Sequence, residues 1–119
     1  IGMIVFSPLA QAILTGKYLP GQAAPEGSRG ADSTSNNFMQ GMMDDETLAK
    51  VQKLKAFAES HGHPLGHFAL AWCLRKPAIS SVIVGASRVD QIEANVEASG
   101  IDLPSEVWAQ AEAILEGGE

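Results

Sequence analysis

The sequence predicts an α/β fold with an incomplete sheet, and three observations lead to that prediction. Residues 1–6 and 81–85 are short runs dominated by apolar and β-branched residues, as in strands that are covered on both faces. The segments between and after them have helical periodicity. Strands joined by a helical connection run parallel, with a right-handed crossover expected, and two such strands cannot cover both faces and both edges of their own sheet.

Composition narrows the classes of function. The chain has 119 residues, of which 45% are hydrophobic, and a formal net charge of -6. Binding to nucleic acid needs clustered Lys and Arg, so this composition argues against it. No apolar run reaches the ~20 residues of a membrane-spanning helix, so no membrane partner is expected. The single cysteine, Cys73, excludes an internal disulfide and fits a cytoplasmic protein.

The elements of the first half follow from local signals. After the strand of residues 1–6, a short helical piece is predicted over residues 9–14 and ends before Gly16. Residues 17–43 are rich in Gly, Pro and Ser and keep no regular period, which predicts a long loop, and a loop of this length is usually either functional or disordered. A helix over residues 46–60 follows, with Asp44 and Asp45 as its capping and first-turn anions and Gly62 as its stop.

The second half alternates helix and strand. Pro64 opens a helix over residues 65–76 that ends at Pro77 and, being apolar on most sides, is expected to be deeply buried. The strand of residues 81–85 is followed by a helix over residues 89–98, which stops at Ser99 and Gly100. The last helix is predicted over residues 105–115.

The segment of residues 81–95 is the most informative about chemistry. Gly85 follows a strand, and Ser87 and Arg88 then open a helix, so free backbone N–H groups, a hydroxyl and a guanidinium meet at the positive end of a helix dipole. Gln91 and Asn95 share one helix face, where their amides could reach a base or a ribose. This pattern is typical of a phosphate-binding turn. The alternative is that Ser87 only caps the helix while the two amides face solvent.

Residues 6–18 hold a second candidate site. There, too, a strand ends in small polar residues, at the end of a parallel sheet where ligands bind. Lys17 could pair with a phosphate as a point charge. The alternative is an ordinary solvated lysine beside a helix end.

Four stretches together resemble one family. They are IVFSPLAQAILTGKY, the Gly-Ser-Arg of residues 27–29, the LAWCLR of residues 70–75, and SVIVGASRVDQIEANV. In these motifs the chain resembles the C-terminal part of an aldo-keto reductase, from the branch that contains bacterial reductases and the potassium-channel β subunits. The resemblance implies a partial TIM (β/α)₈ barrel in which the two strands are the seventh and eighth, with NADPH bound at their C-terminal ends.

The resemblance also implies cofactor-binding positions. Phe6 resembles the aromatic residue that stacks on nicotinamide, and Ser87 and Arg88 match the turn around the adenosine 2′-phosphate, which favours NADPH over NADH. Ala94 stands where the family often has Glu, which implies a weaker hold on the adenine. The full set of implied positions is Phe6, Ser7, Pro8, Leu9, Ala10, Gln11, Lys17, Arg29, Gly85, Ser87, Arg88, Gln91 and Asn95.

The function implied is hydride transfer between NADPH and a carbonyl substrate, an aldehyde or a ketone. The family's catalytic Asp, Tyr, Lys and His lie in the N-terminal half of the barrel, and no residue here matches them; Tyr18 does not match the catalytic tyrosine. With a strand at Ile1, the chain is expected to be a piece of a larger barrel that needs its N-terminal half or a second chain. A homo-oligomer stays open, as do two alternatives: a regulatory cofactor-binding protein of the same fold and an inactive fragment.

Other reactive side chains have simpler interpretations. His63 and His67 lie four apart with His61 nearby, but zinc needs three or four ligands with a supporting shell, so surface histidines are the favoured interpretation and no metal is predicted. Cys73, beside Trp72 in an apolar helix, is interpreted as a small core residue and not a nucleophile.

Overall fold

The architecture is a helical core with a two-stranded sheet at one side. The structure, a computed structural model, describes residues 1–6, 8–9, 13–31 and 44–117. In that part of the chain the strands are β1 (Met3–Phe6) and β2 (Ile79–Ile83), and the helices are α1 (Asp45–Ser60), α2 (Leu65–Leu74), α3 (Val89–Glu97) and α4 (Ser105–Leu115). Short 3₁₀ turns cover Ile13–Thr15, Arg29–Ala31 and Ala98–Gly100.

The two strands are parallel, as predicted, with α1 and α2 in the connection between them. Phe6 pairs with Ile83 and Met3 with Ile79. The predicted position of β2 was wrong by two residues at each end, since it runs over Ile79–Ile83 and not over residues 81–85. A strand extends only as far as its partner, and β1 has no residue to pair with Gly85.

Only one face of the sheet is covered within the described residues, as expected for two strands that cannot cover both of their faces. Side chains alternate along a strand, so Val5 and Val82, which pair, share the half-buried face, and α2 packs against β2. Ile4, Phe6 and Ile83 share the other face, and they are 65%, 79% and 58% exposed. We call this second surface the open face. It is open because two strands bring too few neighbours to cover it.

The helix signals that were read from local chemistry are confirmed. Asp44 caps α1 by accepting hydrogen bonds from the Thr47 backbone N–H at 3.1 Å and from the Thr47 hydroxyl at 2.7 Å. Gly62 ends the helix with a φ of 84°, a left-handed conformation that favours glycine. Of the short piece predicted over residues 9–14, Leu9, Ile13 and Leu14 are described, and Ile13–Thr15 forms a single 3₁₀ turn before Gly16.

The core lies between α1, α2 and α4. Phe68 on α2 is its centre: its ring centroid lies 6.0 Å from that of Phe57 on α1 and 5.0 Å from that of Trp108 on α4. Helix α2 ends at Leu74, two residues before the predicted end, because the proline at 77 disfavours helical backbone just before it. The buried core residues are Ile13, Tyr18, Leu48, Val51, Leu54, Ala58, Leu65, Phe68, Ala71, Val107, Trp108 and Ala111.

Burial of α2 is less complete than predicted. Leu65 and residues 68–71 are buried, while Trp72, Cys73 and Leu74 keep part of their surface exposed. Arg75, just past the helix, covers the Trp72 ring with its guanidinium carbon 3.8 Å from the ring centroid. It also joins α2 to α4 through a hydrogen-bonded ion pair with Glu112, at 2.7 Å.

Candidate functional site

The register of the sheet places the two predicted binding segments at the same end of the sheet, where both strands finish. Because Phe6 pairs with Ile83, the chain leaves both strands at the same end of the sheet. Phe6 lies there with 79% of its surface exposed, and Pro8 and Leu9 follow it half-buried. Three further predicted positions in this segment, Ser7, Ala10 and Gln11, lie outside the described residues.

The turn after β2 brings several hydrogen-bond donors to one point. The side-chain oxygen Oε1 of Gln91 accepts from the Ser87 backbone N–H at 2.8 Å, from the Ser87 hydroxyl at 3.3 Å and from the Arg88 backbone N–H at 3.3 Å. Helix α3 therefore begins at Val89, as predicted, but Gln91 satisfies its first donors by folding back over the turn. The cap of α3 thus comes from Gln91 and not from the Ser87 hydroxyl, and the Gln91 amide does not simply face solvent; the phosphate-binding turn stays a prediction.

The turn after β2 carries one positively charged side chain, that of Arg88, which lies beside the carboxylate of Asp90. The Nε atom of Arg88 lies 3.2 Å from Oδ1 of Asp90, and both side chains are more than half exposed. Such an exposed pair is weak, so the guanidinium remains available to another anion. A Cβ placed on Gly85 would meet no described atom within 4 Å, so the space above this residue is open.

Asn95 lies one helical turn beyond Gln91, in a different environment. It lines a crevice of about 280 Å³ between β2, α2 and α3, together with Leu70, Val82 and Ile92. The predicted adenine-side pair is therefore divided: Gln91 belongs to the turn, and Asn95 to the crevice beneath α3.

The two loop segments that carry the predicted basic residues Lys17 and Arg29 both lie beside Tyr18. Its side chain is 1% exposed, and its hydroxyl oxygen accepts a hydrogen bond from the Gly30 backbone N–H at 3.0 Å. The ammonium nitrogen of Lys17, an exposed residue, lies 5.6 Å from the Tyr18 ring centroid, within the range of a cation–π contact. Arg29 opens the 3₁₀ turn that contains Gly30; only its backbone is described.

The described part of this loop is fastened to α1. The Gln52 side-chain amide donates to the carbonyl oxygens of Gly16, at 3.0 Å, and Tyr18, at 3.3 Å. The Gly21 backbone N–H donates to Asp45 Oδ1 at 2.8 Å. Sequence reasoning missed Gln52 and Tyr18 as supports of the loop. The signal available in the sequence was Tyr18 itself, the one aromatic residue of residues 13–31.

The remaining reactive side chains have other partners. The His61 ring packs edge-on against Phe57, with centroids 4.7 Å apart, and His67 Nδ1 lies 3.9 Å from a Glu97 carboxylate oxygen. Among the residues the structure describes, no three His, Cys, Asp or Glu side chains form a metal-binding group. Burial raises the pKa of the Cys73 thiol, which disfavours its reactive thiolate form.

A helix that spans a membrane must be both long and apolar. None within residues 44–117 combines the length and the apolar character needed to cross a bilayer.

Comparison with known proteins decides the family. The sequence model of the aldo/keto reductase family matches residues 1–116. The chain belongs to the aldo/keto reductase family. The resemblance drawn from the motifs is thereby confirmed, and the parallel strands with their helical connection are consistent with part of the TIM barrel that this family implies.

Relatives of this aldo/keto reductase chain have two kinds of name. It is 44% identical over 98 residues to a "Probable voltage-gated potassium channel subunit beta" of Arabidopsis thaliana, covering 82% of this chain and 30% of that protein. A rice protein of the same name is 39% identical, covering 98% of the chain and 36% of the relative. An "L-glyceraldehyde 3-phosphate reductase" of Escherichia coli O157:H7 is 37% identical, covering 100% and 35%. The chain thus spans about a third of the length of these curated relatives.

Proposed function

We propose that this chain is the cofactor-binding part of an NADP(H)-dependent aldo/keto reductase, with β1 and β2 as the seventh and eighth barrel strands. When bound, the cofactor supplies the hydride that reduces an aldehyde or ketone to an alcohol. The observation that carries the proposal is the convergence of donors from Ser87 and Arg88 on one oxygen, within a chain of this family.

The turn fits a phosphate group on the donors it presents. Two backbone N–H groups and one hydroxyl already converge on Gln91 Oε1, and a phosphate oxygen in its place would receive the same donors with a full negative charge. Charge-assisted hydrogen bonds are stronger than neutral ones, so a phosphate can compete with the Gln91 amide. Arg88 supplies the cation and the start of α3 the positive end of a helix dipole.

Other residues are assigned to the rest of the cofactor. Phe6, exposed at the edge of the sheet, offers a ring face for nicotinamide, and Lys17 and Arg29 supply charge for phosphates. The complete proposed set remains Phe6, Ser7, Pro8, Leu9, Ala10, Gln11, Lys17, Arg29, Gly85, Ser87, Arg88, Gln91 and Asn95.

Proton transfer to the substrate is assigned to residues outside this chain. Tyr18 does not match the family's catalytic tyrosine, and with its side chain 1% exposed it offers no surface to a substrate, so it is not assigned as the proton donor. The proposal therefore needs the N-terminal part of a barrel, on the same polypeptide or a second one, and a carbonyl substrate bound there. A cytoplasmic location agrees with the lone cysteine.

A second candidate function is regulation through bound cofactor. This alternative, in which bound cofactor matters more than turnover, is kept because two of the relatives reported above are named as potassium-channel β subunits. Steady-state turnover with simple aldehydes, measured on the full-length protein, separates the two: a cofactor-binding protein with negligible turnover supports the regulatory function.

The test of cofactor binding is Arg88→Ala in the full-length protein. Loss of a charge-assisted phosphate bond should weaken NADPH binding by about 1–3 kcal/mol and leave NADH binding nearly unchanged. Binding is measured by titration of intrinsic fluorescence. Lys53→Ala, which removes a positive charge from the exposed side of α1, is the control and should change neither affinity. Equal losses for the two cofactors with Arg88→Ala would contradict the 2′-phosphate assignment.

A further inference from the structure

The proposed function assigns no task to Tyr18, although this residue has an unusual position. It is the chain's single tyrosine, it lies in a loop of small and polar residues, and its side chain is 1% exposed. Its neighbours in space include both ends of the described loop, from Lys17 to the turn that begins at Arg29. A buried polar group with a specific partner warrants a physical explanation.

Each part of the side chain makes a different contact. The ring packs in the core, and its centroid lies 5.6 Å from the Lys17 ammonium nitrogen. The ring therefore limits the positions that this ammonium group can take. The hydroxyl oxygen accepts the N–H of Gly30, the residue directly after Arg29. One side chain therefore links two basic residues that are twelve positions apart in sequence.

The Tyr18 ring also lies very close to the backbone of Gly30. A Cβ built on Gly30 would lie 2.6 Å from Cε1 of the Tyr18 ring, so any larger residue must displace the turn or the ring. Gln52 holds the other side of Tyr18 by donating to its carbonyl oxygen at 3.3 Å. The loop backbone is thus fixed to α1 at Tyr18, and through Tyr18 at the Arg29–Ala31 turn.

We propose that Tyr18 is a positioning residue for the cofactor, which holds the Lys17 and Arg29 backbone segments in one fixed relation for binding the phosphates. This inference rests on the proposed function, because it needs those two residues to contact the cofactor. Tyr18 itself touches neither cofactor nor substrate. A purely structural core residue would lower stability when altered without a specific effect on cofactor affinity.

The experiment uses Tyr18→Phe in the full-length protein. This substitution keeps the ring, its packing and the contact with Lys17, and removes only the acceptor of the Gly30 N–H. The dissociation constant for NADPH should rise about three- to tenfold, as expected for one lost hydrogen bond. The turnover number at saturating NADPH should stay unchanged, because the proposed catalytic groups lie elsewhere. Hydrogen exchange at the Gly30 amide should become faster even without cofactor.

Two further variants separate positioning from stability. Val51→Ala removes core packing on α1 at a residue that is 3% exposed, and it should lower the melting temperature at least as much as Tyr18→Phe without changing NADPH affinity. Gly30→Ala should raise the dissociation constant as Tyr18→Phe does, because its methyl group displaces the same contact. It also tests the proposal if the tyrosine variant folds poorly.

The outcomes are distinct. If wild-type protein binds NADPH and Tyr18→Phe binds it equally well, or if Val51→Ala weakens binding to the same extent, the positioning role is overturned and the proposed function stands. If the wild-type full-length protein binds no NADPH, the proposed function fails and the positioning role with it. A selective rise in the dissociation constant for both Tyr18→Phe and Gly30→Ala supports the role.

Discussion

At the scale of single residues, two helices begin with different capping arrangements. Asp44 lies ahead of α1 and accepts from Thr47 further along the chain. Gln91 lies inside α3 and reaches back to Ser87 and Arg88. Both satisfy donors that the first turn of a helix leaves without partners. A carboxylate does so permanently in neutral solution, whereas a neutral amide can be replaced by a stronger acceptor.

The Asp44 cap makes stability dependent on pH. The hydrogen bonds from Thr47 hold the pKa of this carboxyl below its usual value of 3.8. A lowered pKa in the folded state means that the ionised group stabilises the protein above the unfolded pKa, and that this contribution is lost as pH falls through the folded value. Asp44→Ala should therefore lower the melting temperature at pH 7 and have a progressively smaller effect below about pH 4.

Thermal unfolding followed by circular dichroism at several pH values measures this difference. Glu46→Ala is a suitable control, since its exposed carboxylate lies in the same first turn of α1 and pairs with the half-buried Lys50 at 3.6 Å. An Asp44→Ala effect of constant size from pH 7 to pH 3 would show that the cap acts through something other than the ionised carboxylate.

The hydrogen-bond partner of a side chain could be predicted from sequence where the partner is a near neighbour in the chain. It could not be predicted where several partners are within reach. The capping role of Asp44 follows from its place before an apolar helix face. For Gln91 the sequence indicates a helix position and an amide, but not that the amide folds back on the turn. Tyr18 is similar, because its partner Gly30 is brought near only by the path of the loop.

At the scale of elements, helices were predicted more closely than strands. Helix α4 has the predicted bounds and α1 begins one residue earlier than predicted, because capping and breaking residues mark helix ends. Strand β2 was misplaced because its ends depend on where β1 begins and ends. The turn at Gly85 therefore starts two residues after the strand, which leaves residues 84–88 free of the sheet and available as a binding turn.

Arg75 is the main polar link between two of these helices, and its removal tests how α2 and α4 are held together. Arg75→Met keeps an unbranched side chain of similar reach but removes the guanidinium that lies over Trp72 and the donors to Glu112 and to the Trp72 carbonyl oxygen. The side chain is largely buried, at 15% exposed, so the free energy of unfolding should fall by roughly 1–3 kcal/mol. Chemical denaturation measures this change.

Glu112→Gln is the matched control, because it keeps an acceptor near Arg75 and removes only the charge. We expect it to be less destabilising than Arg75→Met. Wild-type stability for Arg75→Met would mean that apolar packing alone holds α4 on α2.

At the scale of the whole molecule, the core is well formed and the sheet is not covered. The helices bury a continuous set of apolar residues, but the open face leaves Ile4, Phe6 and Ile83 exposed, and α3 carries a second exposed apolar row at Val89, Ile92 and Val96. The sequence indicates that these strands and this helix are apolar. It could not show which faces find neighbours, because coverage depends on elements beyond the two strands.

This exposure predicts the behaviour of the 119-residue chain by itself. Contiguous apolar surface and unpaired strand edges promote association, so the chain should self-associate in the micromolar range and bind a hydrophobic dye. The double variant Ile4→Ser and Ile83→Ser should reduce both effects. Analytical ultracentrifugation and dye fluorescence measure them.

Ala49→Ser, on the exposed side of α1, is the control and should leave association unchanged. If the double variant associates as strongly as the unaltered chain, association occurs through a surface other than the open face.

The parallel pairing of β1 with β2 has a consequence for the order of folding. Met3 and Ile79 can meet only after the chain between them has formed its helical connection, since closing a long loop costs conformational entropy. We expect α1 and α2 to form first and the sheet to close last. The same small sheet holds Phe6 beside the start of the Gly85 turn, so the two sides of the proposed cofactor site come together only in the last step of folding.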